Sequence, residues 1–311
     1  MPSLRLLQLH GYDPWLIGKV WVKSLLHGEG WRVEKDRPGL VQRVRQLKAL
    51  AAKARTRDPD FDQRLQALTL PCTLSCALEL RLAGLKAFGC RSKCSSLLLA
   101  GGIAMPADQE HELVRCWRLA CSFLGIELPP PQRIGLRMSV AQQRAADAEL
   151  EQHGVRKGYV VIVPFAGGDS GRLDRRWPHF PAFTQALLDE GRDVVVCPGP
   201  GEEALAKSQH RGTIMIAGID LGAYLGILRR ASLVVANNTG PGHMAAAIGV
   251  PLLSVLGPAD RGTFGAWGPT VHVVRDQTWP DASGVLGHAR ALLAHAAGHR
   301  GQGLVAMDAR R

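Results

Sequence analysis

Residues 232–257 read SLVVANNTGPGHMAAAIGVPLLSVLG, an apolar run, a turn rich in Gly and Pro, a stretch of small residues and a second apolar run. A strand buried on both faces needs such an uninterrupted run, and parallel strands need a crossover helix between them. The same alternation extends upstream. VVIVPF (160–165), DVVVCPG (193–199), TIMIAG (213–218), SLVVANN (232–238) and PLLSVLG (251–257) predict strands. Helices are expected from about Pro178 to Glu190, Glu202 to Gln209, Leu221 to Arg230 and Gly242 to Ile248. This order predicts an α/β fold with a doubly wound, Rossmann-like domain over 133–298.

The prolines of PPPQ (129–132) forbid helix and mark a linker. Before it, residues 1–128 are expected to form a second α/β domain. LRLLQL (4–9) and the stretch Phe61 to Leu68 are its expected strands, and 39–55, 74–87 and 109–124 its helices. The stretch 299–311 is expected to be a flexible tail.

Composition narrows the class. The chain has 311 residues, a formal net charge of +11 and 46% hydrophobic residues, a folded composition long enough for two domains. Its longest mostly apolar uncharged run, MAAAIGVPLLSVLG (244–257), is short of the ~18–20 residues of a spanning helix and contains Gly and Pro. The opening MPSLRLLQLHGYDPW lacks the core and cleavage site of a secretory signal, so a cytoplasmic protein with reduced thiols is expected. Six of the seven cysteines lie between 72 and 121, at spacings looser than those of a structural zinc site, and no metal is assigned.

Residues 37–57 carry seven basic side chains and no acidic one, with Val41, Val44, Leu47, Ala51 and Ala54 at helical spacing. The bland interpretation of this amphipathic helix is a solvated face; the sharper one is attraction to an anionic membrane surface or a phosphorylated acceptor. Nucleic acid is not expected as a partner, because no nucleic-acid module follows and no aromatics interleave with the charges.

In open parallel sheets the ligand loops follow the strand C-termini. After 160–165, AGGDSGRLDRRWP (166–178) combines small residues with Arg172, Arg175 and Arg176, a plausible anion cradle or a plain solvated loop. After 193–199, Glu202 stands at a helix start, where a carboxylate accepts from a ribose diol or simply meets the helix dipole. The third loop, NNTGPGHMAAAIGVP (237–251), leads into a helix whose first N–H groups are free for a diphosphate. Thr239 and His243 stand beside those N–H groups.

Together with IVPFAGG (162–168), RRWPHF (175–180), CPGPGEE (197–203) and AGIDLGAYLGILRRASLVVA (217–236), the stretch 237–269 resembles glycosyltransferase family 9, the ADP-heptose:lipopolysaccharide heptosyltransferases. DFDQRLQAL (60–68), AGLKAFGCRSKCSSLLL (83–99) and HELVRCWRLACSFLGIELP (111–129) resemble it more generically. The resemblance implies two Rossmann-like domains of the GT-B type and inverting, metal-free transfer of a heptose from ADP-heptose or a related nucleotide sugar. The acceptor would be a lipid-linked saccharide of the lipopolysaccharide core, met at the inner face of the cytoplasmic membrane. By position, Asn238, Thr239, Gly240 and His243 match the diphosphate motif, Arg175, beside Arg176, matches a basic residue at the departing phosphate, and Glu202 matches the acid facing the ribose. Asn238 stands where the family commonly has Asp. Where the family has a strand and a Gly-Asp turn bearing the base, this chain has only HGYDP (10–14), with Asp13 the candidate base after the expected strand 4–9. A noncatalytic sugar-nucleotide or lipopolysaccharide binding paralogue, and another GT-B enzyme such as a sugar-nucleotide epimerase, are the alternatives.

Overall fold

The computed structural model describes all residues except 72, 93, 105–109, 167–175, 259–262 and 309–311, and omits the side chains of 297–308. The chain divides into two units. Unit one holds Met1–Lys23, Trp31–Pro131 and Gly262–Phe264; unit two holds Ser24–Gly30, Gln132–Arg261 and Gly265–Arg311.

Unit one runs α1 (Pro2–Leu9), β1 (Trp15–Gly18), α2 (Val20–Leu25, whose end belongs to unit two), β2 (Arg32–Lys35), α3 (Leu40–Arg55), β3 (Ala67–Leu68), α4 (Leu74–Leu82), β4 (Ala87–Arg91), β5 (Gly101–Ala104) and α5 (Glu112–Leu124). β3, β4 and β5 form one parallel sheet, and β1 and β2 a separate parallel pair. Residues 4–9, expected as a strand, are helical. Pro2 fits the first helical turn, Leu is a good helix former, and Leu6 packs with Ala120 and Cys121 of α5. The expected helix 74–87 stops at Leu82, because Gly84 takes a left-handed φ of 77° and frees the chain for β4. Phe61–Gln63 is a short 3-10 turn rather than the start of a strand.

On α3, Leu47 and Ala51 pack against Leu80 and Ala83 of the α4 region. Arg43 on the same helix donates to Glu79 at 3.1 Å and to Asp36 at 2.9 Å. Burial pulls its pKa down, but the two carboxylates, Glu79 foremost, outweigh that and raise it. Arg43 is therefore a structural cation, as is Arg55 through Asp62. Cys76, Cys94, Cys116, Cys121 and Cys197 are free thiols, whereas Cys90, on β4, is disulfide-bonded, which corrects the expectation of uniformly reduced cysteines. Cys90 lies in β4, in register with Ile103 of β5.

Unit two runs α6 (Val140–Gln152), β6 (Val160–Val163), α7 (Phe180–Asp189), β7 (Val194–Val196), α8 (Glu203–Gln209), β8 (Ile214–Met215), α9 (Leu221–Arg230), β9 (Leu233–Ala236), α10 (Gly240–Ile248), β10 (Leu252–Leu256), β11 (Val271–Arg275) and α11 (Ala282–Asp308). The backbone of 299–308, expected as flexible tail, is thus helical. All six strands are parallel, in the order β11-β10-β9-β6-β7-β8. The chain builds outward from β6 in one direction, then returns to β9 and builds in the other, which is the doubly wound topology. β6, β7, β9 and β10 are buried along their whole length, and Phe180, Phe183 and Leu187 of α7 close over them.

The segment Ser24–Gly30 is bound into unit two. The Ser24 hydroxyl donates to Asp220 at 2.7 Å and accepts from the Gly222 N–H, while Gln142 Nε2 donates to the Ser24 carbonyl at 2.7 Å. A Cβ on Gly28 would fall 2.4 Å from the Arg137 carbonyl oxygen and 2.6 Å from the Met138 backbone. Because those are backbone atoms, Gly28→Ala is expected to cost about 1–3 kcal/mol through forced displacement. Urea unfolding measures it, and an unchanged midpoint would show that the segment is not held there.

Candidate functional site

The switch point of the unit-two sheet lies between β6 and β9, whose chains leave in opposite directions and open a crevice beyond their C-terminal ends. Both exits are tied by one side chain. Asn237, directly after β9 and 1% exposed, donates from Nδ2 to the Pro164 carbonyl at 2.8 Å and accepts the Trp177 N–H on Oδ1 at 3.0 Å. It thereby fixes both ends of the loop that follows β6. Trp177, itself buried, is anchored further by its Nε1 donating to the Pro280 carbonyl at 2.7 Å. Sequence reasoning missed Asn237 and chose its neighbour. The doublet Asn237-Asn238 was the available signal, since the first of the two continues a strand buried on both faces.

α10 starts above this crevice. Thr239 takes the N-cap position without capping, its hydroxyl donating instead to the Asn237 carbonyl at 3.4 Å, so the first-turn N–H groups keep their positive field. Gly242 lets the helix sit close: a Cβ there would be 3.2 Å from that of Ala236. At Gly240 no atom of the described residues lies within 4 Å of an added Cβ. Asn238 and His243 are half-buried, and Ala245 and Ala246 are buried on the helix.

Glu202 lies after β7, on the other side of β6 from β9. Its Oε2 accepts the Gly199 N–H at 2.8 Å, which holds the carboxylate over its own turn with the second oxygen left for another donor. Arg176 is exposed immediately before Trp177. Arg175 and Arg172 lie outside the described residues. Near the same strand ends, His210 is 3% exposed, with its ring edge-on to Phe165 and Phe180 and its Nδ1 3.0 Å from the Thr184 hydroxyl. Burial holds its pKa down to about 4, so the ring is neutral.

Asp13 belongs to unit one. The context expected for it is reversed: a helix, α1, precedes it and a strand, β1, follows, which puts it at the N-terminal edge of that strand. Its carboxylate is exposed, accepts from Trp15 Nε1 at 3.2 Å and pairs with Arg32 at 3.6 Å. The guanidinium groups of Arg32 and Arg57 each lie about 5 Å from the centre of the Trp15 ring. No helix among the described residues is long and apolar enough to cross a membrane.

The sequence profile of glycosyltransferase family 9 (heptosyltransferase) matches residues 49–286. Lipopolysaccharide heptosyltransferase 1 of Escherichia coli strain K12 is 27% identical over 182 residues, 54% of this chain and 51% of the relative. The chain thus aligns with about half the length of the curated relatives it matches first. Among solved structures, the ADP-heptose lipopolysaccharide heptosyltransferase II of E. coli superposes with a TM-score of 0.71 at 22% identity, over 94% of both chains. The E. coli heptosyltransferase WaaC with ADP gives 0.67 at 21% identity, again over 94% of both. The α/β fold with parallel sheets is the one these solved structures share.

Proposed function

Because the chain belongs to glycosyltransferase family 9, we propose that it transfers a heptose, with inversion, from ADP-heptose to a saccharide of the lipopolysaccharide core. The carrying observation is the α10 N-terminus, without a side-chain cap at the β6/β9 switch point, with the Asn237 tie holding both ends of the β6 loop beside it. A relative of the same fold was solved with ADP. In the reaction an acceptor hydroxyl oxygen attacks the anomeric carbon, the bond from that carbon to the β-phosphate oxygen breaks, and ADP departs as the hydroxyl loses its proton to a base. Negative charge grows on the leaving diphosphate. Fixed N–H dipoles of α10, with Asn238, Thr239, Gly240 and His243, and the guanidinium groups of Arg175 and Arg176 stabilise it. Glu202 faces the ribose hydroxyls. The proposed chemistry needs no metal ion.

Calorimetric titration with ADP tests the donor site. Arg175→Ala removes a charge-assisted contact of roughly 1.5–3 kcal/mol and is expected to weaken ADP by tenfold or more. His243→Ala also weakens it, whereas Arg311→Ala leaves it unchanged. Equal affinity for all three variants would remove the diphosphate site from this loop.

The position of Asp13, before a strand and paired with Arg32, favours a second reading in which the protein binds the donor without turning it over. Incubation with ADP-heptose and heptose-free core oligosaccharides separates the two. Release of ADP with a heptosylated product supports transfer, and a rate that falls about 100-fold or more in Asp13→Ala makes that carboxylate the base. Bound donor with no product supports the second reading, and free heptose or its isomer without acceptor points to epimerase-like chemistry.

A lipid-linked acceptor places the reaction at the inner face of the cytoplasmic membrane, with the run Arg37 to Arg57 as the attachment surface. Arg43 and Arg55 are held by carboxylates and Arg57 lies over the Trp15 ring, which leaves Arg37, Arg45, Lys48 and Lys53 for lipid. At about 1 kcal/mol per basic residue near an anionic surface, attachment is reversible and falls with salt. Cosedimentation with phosphatidylglycerol vesicles is expected at low salt and lost when Arg37, Arg45 and Lys48 become Gln; equal binding to neutral vesicles sinks the idea.

A further inference from the structure

β2 and α3 of unit one line a cavity of about 460 Å³, inside the range of roughly 300–1,000 Å³ typical of small-molecule sites. Lys35 and Arg37 line it from the end of β2 and the turn after it, Arg45 and Lys53 from one face of α3, two turns apart. None of these four side chains has an ion-pair or hydrogen-bond partner among the described residues. The contrast with Arg43 and Arg55, on the same helix, is that those two are neutralised by Asp36, Glu79 and Asp62. Four cations against the single carboxylate of Glu34 leave a net positive field in the concavity, which an anion relieves.

The wall also holds an acceptor in need of a donor. Gln46 is 8% exposed, and its Nε2 donates to the Lys35 carbonyl at 2.8 Å, which fixes the amide so that Oε1 is buried with no partner among the described residues. A second acceptor, Glu34, lines the same cavity. Inorganic phosphate answers the cations but can spare these oxygens only its own P–OH, at the oxygens the cations hold; a hydroxylated phosphate ester carries separate donors and answers both. Arg37, Arg45 and Lys53 are also the cations offered above to an anionic membrane surface, so the two occupants compete for them and the vesicle arm of the test below separates them. Most of the wall precedes residue 49, where the stretch shared with the family begins.

We propose that this cavity is a binding site for a sugar phosphate, with the phosphate among Lys35, Arg37, Arg45 and Lys53 and a sugar hydroxyl donating to Gln46. The site is separate from the donor loops of unit two, and its test needs no transferase activity. Calorimetry on the full chain with glucose 6-phosphate, glucose and inorganic phosphate reads it. Glucose 6-phosphate is expected to bind at least tenfold more tightly than inorganic phosphate, and glucose alone not to bind. Arg45→Gln with Lys53→Gln, both exposed and unpaired, is expected to weaken the ester tenfold or more at an unchanged Tm. Gln46→Met is expected to erase the preference for the ester over inorganic phosphate. Phosphatidylcholine vesicles carrying phosphatidylinositol 4-phosphate identify the source: displacement from them by glucose 6-phosphate places the ester on a lipid head, and no vesicle binding places it on a soluble molecule. Equal affinity for the ester and inorganic phosphate, an unaffected double variant, or vesicle binding that glucose 6-phosphate does not displace overturns the proposal.

Discussion

Asn237→Leu is expected to lower stability by about 2–5 kcal/mol, because it leaves two buried backbone groups without partners. The side chains are of similar volume, so the loss is not that of a cavity. What remains is the Trp177 N–H and the Pro164 carbonyl, both served by Asn237 and neither able to turn toward water without moving the strand end or the buried indole. Asn237→Asp keeps the acceptor for Trp177 but sets an unpaired negative oxygen against the Pro164 carbonyl, and is expected to be destabilising as well. Chemical unfolding of both variants reads the stability. ADP titration under native conditions reads the second consequence, a drop of more than tenfold at the proposed donor site as the β6 loop comes adrift from α10. A variant as stable as the parent would show that the two loops are held by something other than this amide.

Below pH 6.5 the protein is expected to lose stability through His210, by up to about 3 kcal/mol at pH 4. The imidazole titrates near its ordinary value in the unfolded chain, whereas burial holds it to about 4 in the fold. Between those values the unfolded state takes up a proton that the native state refuses. Stability therefore rises with pH across that interval and is independent of His210 above it. Asp193, Glu190 and Asp281 have carboxyl pKa values lowered mainly by hydrogen bonds from Arg156, Arg290 and Ser283 respectively, and withdraw their contributions at still lower pH. They are common to any pair of variants, so the comparison cancels them. Unfolding free energies of the parent and His210→Gln, measured from pH 7 to 4, should converge as pH falls. Parallel curves would mean that the buried ring is protonated in the fold or already neutral in the unfolded chain.

The strands that the sequence announced are those enclosed on both faces. β6, β7, β9 and β10 consist of Val, Leu, Ile, Ala and a single Ser, and no other environment accommodates such runs. β11 escaped notice because VHVVR is a half-exposed edge strand, and α6 because VAQQRAADAELEQ buries little beyond Gln142, Ala146 and Leu150. In unit one the signal was weaker still. LRLLQL has the apolar content of a short strand and of two helical turns alike, and its partner, α5, lies more than a hundred residues later. β1 and β2 are short and poorly buried, so nothing in their composition separates them from loop. The Gly-Pro start of α10 was legible because only a sharp strand-to-helix passage explains it; the buried Asn that precedes it was not, because a long-range amide contact leaves no local pattern.

The tether of Ser24–Gly30 into unit two also bears on the order in which the chain is made. Its partners Ser139, Asp220 and Gly222 follow it by 112, 196 and 198 residues. At about 5–20 residues per second, roughly ten to forty seconds of translation separate that segment from Asp220. Throughout that time the emerging N-terminal unit carries a loop whose hydrogen-bonding partners do not yet exist, and closing it later adds the slow, long-range contacts that retard folding. Expression as two halves cut after Pro131 would therefore part Ser24 from Asp220 instead of yielding two self-sufficient folding units.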